Sequence, residues 1–191
     1  KLFISANNIK GKNKCKFSVI RYGNVMFSRG SVIPYFLKLK KNNHRLPVTD
    51  RNMTRFSLTL TEGIQFVLKS IEMMIGGELF VPKISSYRIM DLVKAIGSNL
   101  KIQETGIRPG EKIHEDLISV SDALNTIELK NFFVVKPNSE ISPWKEKKFK
   151  KHNNLKTLKL CKRNFSYSSN NNPHFLSIKE ISQLIKKHIT S

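Results

Sequence analysis

Between Arg21 and Pro34 the chain reads RYGNVMFSRGSVIP, and this stretch sets the strongest limit on the fold. The apolar, β-branched run 17–22 predicts a buried strand. A turn with two glycines follows, flanked by Arg21 and holding Arg29, and Ser31 can cap a helix through about Lys41. That order puts basic side chains and free backbone N–H groups at the C-terminal end of a strand, where α/β folds bind anions. Asn24 can both donate and accept, and Arg29 offers a planar fork suited to a diphosphate. Gly30 and Ser31 leave N–H groups open at a helix start, where the dipole favours phosphate. By residue chemistry alone, an ordinary strand–turn–helix with a surface arginine fits equally well.

The rest of the pattern alternates strands with helices. Residues 46–50 are expected to be extended, because the residue before Pro47 avoids the α region. Thr59-Leu60-Thr61-Glu62 is a capping box for a helix whose apolar positions are Ile64, Val67, Leu68, Ile71 and Met74, and Gly76-Gly77 ends it. Residues 78–82 form a second strand candidate, 86–96 a helix, 100–105 a third strand and 131–135 a fourth. Ser177 to Glu180 is another capping box, opening a terminal helix through about His188.

A second glycine–arginine signature is Gly106-Ile107-Arg108-Pro109-Gly110-Glu111-Lys112. Pro109 fixes φ and Gly110 permits a tight bend, so Arg108 and Glu111 can point the same way. A cation and a carboxylate so placed can hold a phosphate and a ribose diol. The alternative is a capped turn with a surface ion pair, worth under ~1 kcal/mol. A third polar stretch, 49–56, adds one or two arginines. His114 follows the Arg-Pro-Gly-Glu turn and could approach a ligand, but a packing or surface role is expected. The other four histidines have no partner at metal-ligand spacing, so no metal is expected.

The 191 residues carry a net charge of +20. This permits nucleic-acid or anionic-membrane binding. Abundant lysine, asparagine, isoleucine and phenylalanine suit an AT-rich coding sequence and weaken that reading. The four tyrosines and one tryptophan do not alternate with basic clusters, as stacking platforms for single strands would require. Nucleic acid is therefore not the expected partner. No run approaches the ~20 apolar residues of a membrane span, and residues 1–14 do not read as a signal peptide. Cys15 and Cys161 are lone cysteines, so disulfides and zinc are not expected and a reducing cytoplasm is the default. Residues 145–163 hold nine basic side chains against one acid, Glu146, and are expected to form a solvated, mobile loop or a docking patch for an acidic partner.

Four motifs in order carry a resemblance: RYGNV with SRGSVIP, PVTD with MTRF, GGELFVPK, and GIRPGEK with HE. Together with the ending FSYSSNNN they resemble the inverting UDP-N-acetylglucosamine 4,6-dehydratases, over residues 1 to about 135 and 164 to 189. That family belongs to the extended short-chain dehydrogenase superfamily and begins the pseudaminic acid route to bacterial surface sugars. The resemblance implies an α/β fold: the C-terminal part of a Rossmann-type extended short-chain dehydrogenase, with a small α/β substrate-binding lobe. The implied division is 1–45 as the end of the dinucleotide-binding domain and 46–135 as a mixed substrate-binding lobe with returning sheet elements. A basic loop at 136–164 and a tail with a helix at 165–191 complete it.

The family uses NADP to oxidise the sugar at C4, eliminates water across C5 and C6, and returns the hydride to C6 with inversion at C5. The resemblance implies that Asn24 and Arg29, Gly30, Ser31, Val32 and Ile33 contact the nucleotide-sugar, with Lys40 as a further contact. Val25 is implied to lie by the nicotinamide, and Thr49 on the uridine side. Arg108, Pro109, Gly110 and Glu111 are implied to hold the ribose and diphosphate. The sequence holds no Gly-x-Gly-x-x-Gly turn and no Tyr-x-x-x-Lys pair, so no catalytic residue is assigned and this segment is expected to be inactive by itself. Met26-Phe27 departs from the family, where smaller residues are usual, and Phe27 is a candidate to narrow the pocket. A nucleotide-sugar 4-epimerase and a basic nucleic-acid-binding domain are the competing readings. Family members usually self-associate.

Overall fold

The computed structural model describes residues 2–137 and 144–190. Residues 138–143, within the expected basic loop, lie outside the described residues. In chain order the elements are α1 (Leu2–Ile9), β1 (Val19–Ile20), β2 (Asn24–Val25), α2 (Val32–Lys41), β3 (Leu46–Val48), β4 (Thr54–Leu58) and α3 (Leu60–Met73). Then come β5 (Leu79–Pro82), β6 (Ser85–Arg88), α4 (Ile89–Ile96), β7 (Ile102–Glu104), β8 (Asp116–Ile118) and a 3-10 turn (Val120–Asn125). The last are β9 (Thr126–Glu128), β10 (Phe132–Val135), α5 (Glu146–His152), β11 (Lys159–Leu160), β12 (Tyr167–Ser168) and α6 (Ile178–Thr190). The chain divides into two compact units that interleave along the sequence.

The first unit comprises Lys1–Tyr22, Thr61–Lys83 and Leu117–Tyr167. Its sheet has the order β1-β5-β10-β9-β11. β1 runs parallel to β5, with Val19 opposite Leu79, while β10 runs antiparallel to both β5 and β9. All four residues of β5 are buried, as a central strand covered on both faces requires. Phe80, Ile127, Val134, Trp144 and Phe149 form its core. Each such side chain stabilises the fold by about 1.5–3 kcal/mol relative to an exposed one. The helical spacing read for α3 is correct, but only part of its stripe is covered: Val67 and Met74 are half-buried, with Met74 against the core, while Ile64, Leu68 and Ile71 are 52, 57 and 59% exposed. Its buried residues are Gly63, Ser70 and Met73.

The basic segment is not the expected mobile loop. Its first half is helix α5, and its second half supplies β11, which pairs antiparallel with β9. Two aromatic anchors decide this: Phe149 is fully buried within α5, and Trp144 is buried just before it. The lysines need only one face of so short a helix, and Lys159 meets Glu128 at 2.7 Å. A count of charges along the segment hides the few apolar positions that pin it.

The second unit comprises Gly23–Leu60, Ile84–Asp116 and Ser168–Ser191. β4 is its central strand, parallel to β2 and antiparallel to β6, and β3 pairs in parallel with β7. Ile33 and Phe36 of α2, Leu92 and Ile96 of α4, and Ile181 and Ile185 of α6 share one core with Leu46 and Val48. α6 starts at the expected capping box, where Glu180 N donates to Ser177 Oγ at 3.3 Å and Ser177 N to Glu180 Oε2 at 2.8 Å. The helix expected over 86–96 begins later. Residues 85–88 are strand β6, because Tyr87 and Ser86 are buried opposite Arg55 and Phe56 of β4. At Gly23 the chain passes so close to β4 that an added Cβ would lie 2.3 Å from Phe56 Cβ.

Candidate functional site

A cavity of about 440 Å³ opens in the second unit, within the size range of small-molecule sites. β2 brings Asn24 and Val25 to it. The chain then turns twice, with Ser28 N donating to the Val25 carbonyl at 3.3 Å and Ser31 N to the Ser28 carbonyl at 3.0 Å, and enters α2. Arg29, Gly30, Ser31, Val32 and Ile33 line the cavity from this turn and the first helical residues. Pro47 and Val48 come from β3 and Thr49 from just after it, Met53 and Arg55 from β4 and its approach, Tyr87 and Ile89 from β6 and α4, and Glu111 from a turn.

Ser31 occupies the N-cap position with extended backbone, yet its hydroxyl makes no capping bond. Ser31 Oγ is buried without a hydrogen-bond partner. The expected side-chain cap is therefore missing. Beside it, the N–H groups of Val32 and Ile33 have no partner within the helix, and Pro34 has none to satisfy.

Arg55 is held tightly. Its guanidinium donates to the carbonyls of Thr54 and Ile113, both at 2.8 Å, and stands 3.7 Å from Glu111 and 3.7 Å from Glu115. Glu115 accepts from Phe56 N at 2.9 Å and from Asn24 Nδ2 at 3.1 Å. Burial pushes the Glu115 carboxyl above its ordinary range, against the opposing pull of the Phe56 N–H and Arg55. Burial, with Glu115 nearby, pushes the Tyr87 phenol up to about 12, which makes it a poor proton donor or acceptor near neutrality. His114 is half-buried, and its Nδ1 lies 2.8 Å from Thr54 Oγ1.

Of the residues implied by the resemblance, Asn24, Val25, Arg29, Gly30, Ser31, Val32, Ile33, Thr49 and Glu111 share this one cavity lining. Arg108, Pro109 and Gly110 lie in the exposed turn that leads to Glu111, whose N–H donates to the Arg108 carbonyl at 3.0 Å. Gly110 sits at φ 80°, which Pro-Gly at the centre of such a turn supplies. Lys40 is outside the lining, and its ammonium donates to the Ile96 carbonyl at the end of α4. Phe27 is outside it too: it stacks on His188 of α6 at 4.1 Å between ring centroids. The sequence reading did not single out Arg55, Tyr87 or Glu115 as site residues. The MTRF and HE motifs contained the signal, but no local rule shows that Arg55 turns inward between two carboxylates.

Among the described residues, no group of three or more His, Cys, Asp or Glu side chains is placed to hold a metal ion, and no helix is long and apolar enough to cross a membrane. Cys15 and Cys161 are free thiols, and burial pushes the Cys161 thiol up to about 11.

Residues 1–137 match the sequence pattern of a family described as "Polysaccharide biosynthesis protein". The chain belongs to that family. It is 45% identical over 186 residues to the UDP-N-acetylglucosamine 4,6-dehydratase (inverting) of Campylobacter jejuni strain 81-176, covering 97% of this chain and 55% of that enzyme. It is 39% identical over 137 residues to the UDP-glucose 4-epimerase of Rickettsia bellii, covering 70% of this chain and 40% of that enzyme. This family member thus spans about half the length of the curated relatives it matches. Its fold resembles that of Pen from Bacillus thuringiensis with a TM-score of 0.80 and 32% identity, covering 100% of this chain and 55% of Pen. The likeness bears out the Rossmann-type α/β fold expected from the motifs.

Proposed function

We propose that the cavity is a nucleotide-sugar site and that the chain is the nucleotide-sugar-binding part of an inverting UDP-N-acetylglucosamine 4,6-dehydratase. One observation carries this: Arg29, the unbonded Ser31 hydroxyl and the start of α2 line the same cavity as Asn24, Thr49 and Glu111. Arg29 and the first-turn N–H groups suit a diphosphate, because a planar fork and a helix N-terminus both favour phosphate oxygens. Glu111 accepts from a ribose diol, held in place by Arg55 at 3.7 Å. Arg108 reaches the same diphosphate from the adjoining turn, while Lys40, bonded to the Ile96 carbonyl outside the lining, takes no part. Thr49 faces the uridine, and Asn24 the sugar.

When bound, an NADP cofactor would supply the redox chemistry of this reaction, oxidation at C4 and reduction at C6 around the loss of water across C5 and C6, with inversion at C5. Val25, half-buried in the lining beside Asn24, fits a contact to the nicotinamide. The sequence holds no Gly-x-Gly-x-x-Gly turn for the cofactor's pyrophosphate and no Tyr-x-x-x-Lys pair, so these residues bind and orient the sugar nucleotide while the proton-transfer groups come from elsewhere. The same reading places the protein in the pseudaminic acid route and in a reducing cytoplasm, and makes the whole enzyme a self-associating one.

A second reading is a nucleotide-sugar 4-epimerase, which the likeness to the Rickettsia enzyme supports. Both readings require a UDP site, and a basic nucleic-acid-binding domain does not. Titration calorimetry with UDP, other nucleotides and duplex DNA separates them. Selective binding of UDP, weakened by Arg29→Ala or Arg108→Ala, is expected. Salt-sensitive DNA binding with no preference among nucleotides would overturn the proposal.

A further inference from the structure

An asparagine amide offers different chemistry at its two ends, donors on Nδ2 and an acceptor on Oδ1. In this site the choice between them is made by a neighbour. Asn24 Nδ2 donates to Glu115 Oε1 at 3.1 Å. The other carboxylate oxygen accepts from Phe56 N at 2.9 Å. The Glu115 backbone is fastened as well: its N donates to Ser169 Oγ at 2.9 Å, and its carbonyl accepts from Ser169 N at 2.8 Å and from Ser168 Oγ at 3.0 Å. Arg55 Nε stands 3.7 Å from the oxygen that Asn24 uses. A carboxylate held in this way accepts and does not donate, so the amide end turned to it is the NH₂. The carbonyl end is left for the cavity that Asn24 lines.

Building on the nucleotide-sugar reading, we infer that Glu115 is a positioning residue that makes Asn24 present a carbonyl acceptor, so that this end of the cavity takes a hydroxyl or amide N–H of the sugar and not a phosphate. A carbonyl oxygen repels phosphate oxygens. The phosphates have a better place at Arg29 and the start of α2, where donors and positive potential are offered. The Ser168-Ser169 pair of the C-terminal tail then has a function in the site, because it locks the carboxylate that orients the amide.

Glu115→Gln tests this directly. The glutamine carbonyl is the end that Phe56 N–H requires, so its NH₂ faces Asn24 and turns the Asn24 amide round. UDP and UDP-N-acetylglucosamine are titrated into the 191-residue chain and its variants by calorimetry. The wild type should bind UDP-N-acetylglucosamine more tightly than UDP. Glu115→Gln should reduce that ratio about tenfold, the worth of one hydrogen bond, while UDP affinity stays within about twofold. Asn24→Ala, at an exposed position, should reduce the ratio equally, and the double variant no further.

A purely structural role for Glu115 would weaken both ligands in proportion, and that result overturns the inference. So does equal affinity of the wild type for the two ligands, or an Asn24→Ala variant that keeps the wild-type ratio. In those cases the UDP site itself still stands. Failure of the wild type to bind either ligand overturns the proposed function, and the inference with it.

Discussion

Trp144 Nε1 donates a hydrogen bond to Glu78 Oε1 at 2.9 Å, joining the only tryptophan of the chain to a fully buried carboxylate. No cation is among the partners of Glu78 in these bonds. Ile75 N shares Oε1 at 3.0 Å, while Gly76 N at 3.0 Å and Ser18 Oγ at 2.6 Å share Oε2. Each oxygen therefore accepts from at least one backbone or indole N–H. The isosteric Glu78→Gln must turn an NH₂ towards an N–H donor, and it should destabilise by about 2–4 kcal/mol. Urea unfolding followed by Trp144 fluorescence measures this, and a loss under about 1 kcal/mol would show that the clamp is not needed.

Phe27 occupies the left-handed region at φ 65° and is held there by its stack on His188. A Cβ in that region costs about 1–2 kcal/mol, which glycine avoids. Phe27→Ala and Phe27→Gly both lose the stack, but only alanine keeps the backbone cost. Phe27→Gly should therefore be the more stable of the two by about 1 kcal/mol. Equal melting temperatures, or a more stable alanine variant, would contradict this account of the turn.

Gly23 is constrained by space and not by backbone angle. A methyl group there would sit 2.3 Å from Phe56 Cβ, and the β2–β4 pairing would have to open. Gly23→Ala is expected to cost about 2–4 kcal/mol and to displace Asn24 from the cavity. Chemical denaturation gives the first figure, and loss of UDP binding in the folded variant gives the second.

Glu128 lies between Lys159 at 2.7 Å and Lys83 at 2.9 Å, and these ammonium groups, Lys159 first, hold its carboxyl below its ordinary range. A carboxyl with a lowered folded-state pKa contributes stability above its ordinary range and loses it as pH falls through the lower value. The urea midpoint of the wild type should exceed that of Glu128→Gln at pH 7, and the gap should close in acid and narrow in high salt. A gap that is constant from pH 7 to pH 3 would refute this.

Glu115 should behave in the opposite way. Its raised carboxyl takes up its proton at a higher pH in the folded state than in the unfolded chain, so its contribution is full below the ordinary carboxylate range and is lost as pH rises through the raised value. Relative to Glu115→Gln, the wild type should gain stability on acidification from pH 7. The same pair of titrations measures it, and a gain on going to alkaline pH would be the wrong sign.

Much of the fold was legible in local pattern. The capping box at Ser177, the Pro-Gly turn at Gly110, the glycine pair after α3 and the buried run of β5 appear in the structure where propensity and turn chemistry put them. Three elements did not follow. β4, read as a polar stretch, is a central strand, because Thr54 and Ser57 are buried by their neighbours and not by their own character. Residues 85–88 became strand because β4 lies alongside them. The basic segment folded because Phe149 and Trp144 outweighed a run of lysines.

The sequence by itself determined the strand–turn–helix order, the basic turn at Arg29 and the glycines that let the backbone bend, since these depend on residues close along the chain. Tertiary structure alone decided that Arg55 lies between Glu111 and Glu115, that Asn24 is oriented by a residue 91 positions away, and that the Ser31 hydroxyl is buried without a partner. Those relationships come from strand pairing and burial, which bring together groups whose separation in sequence carries no information about their distance in space.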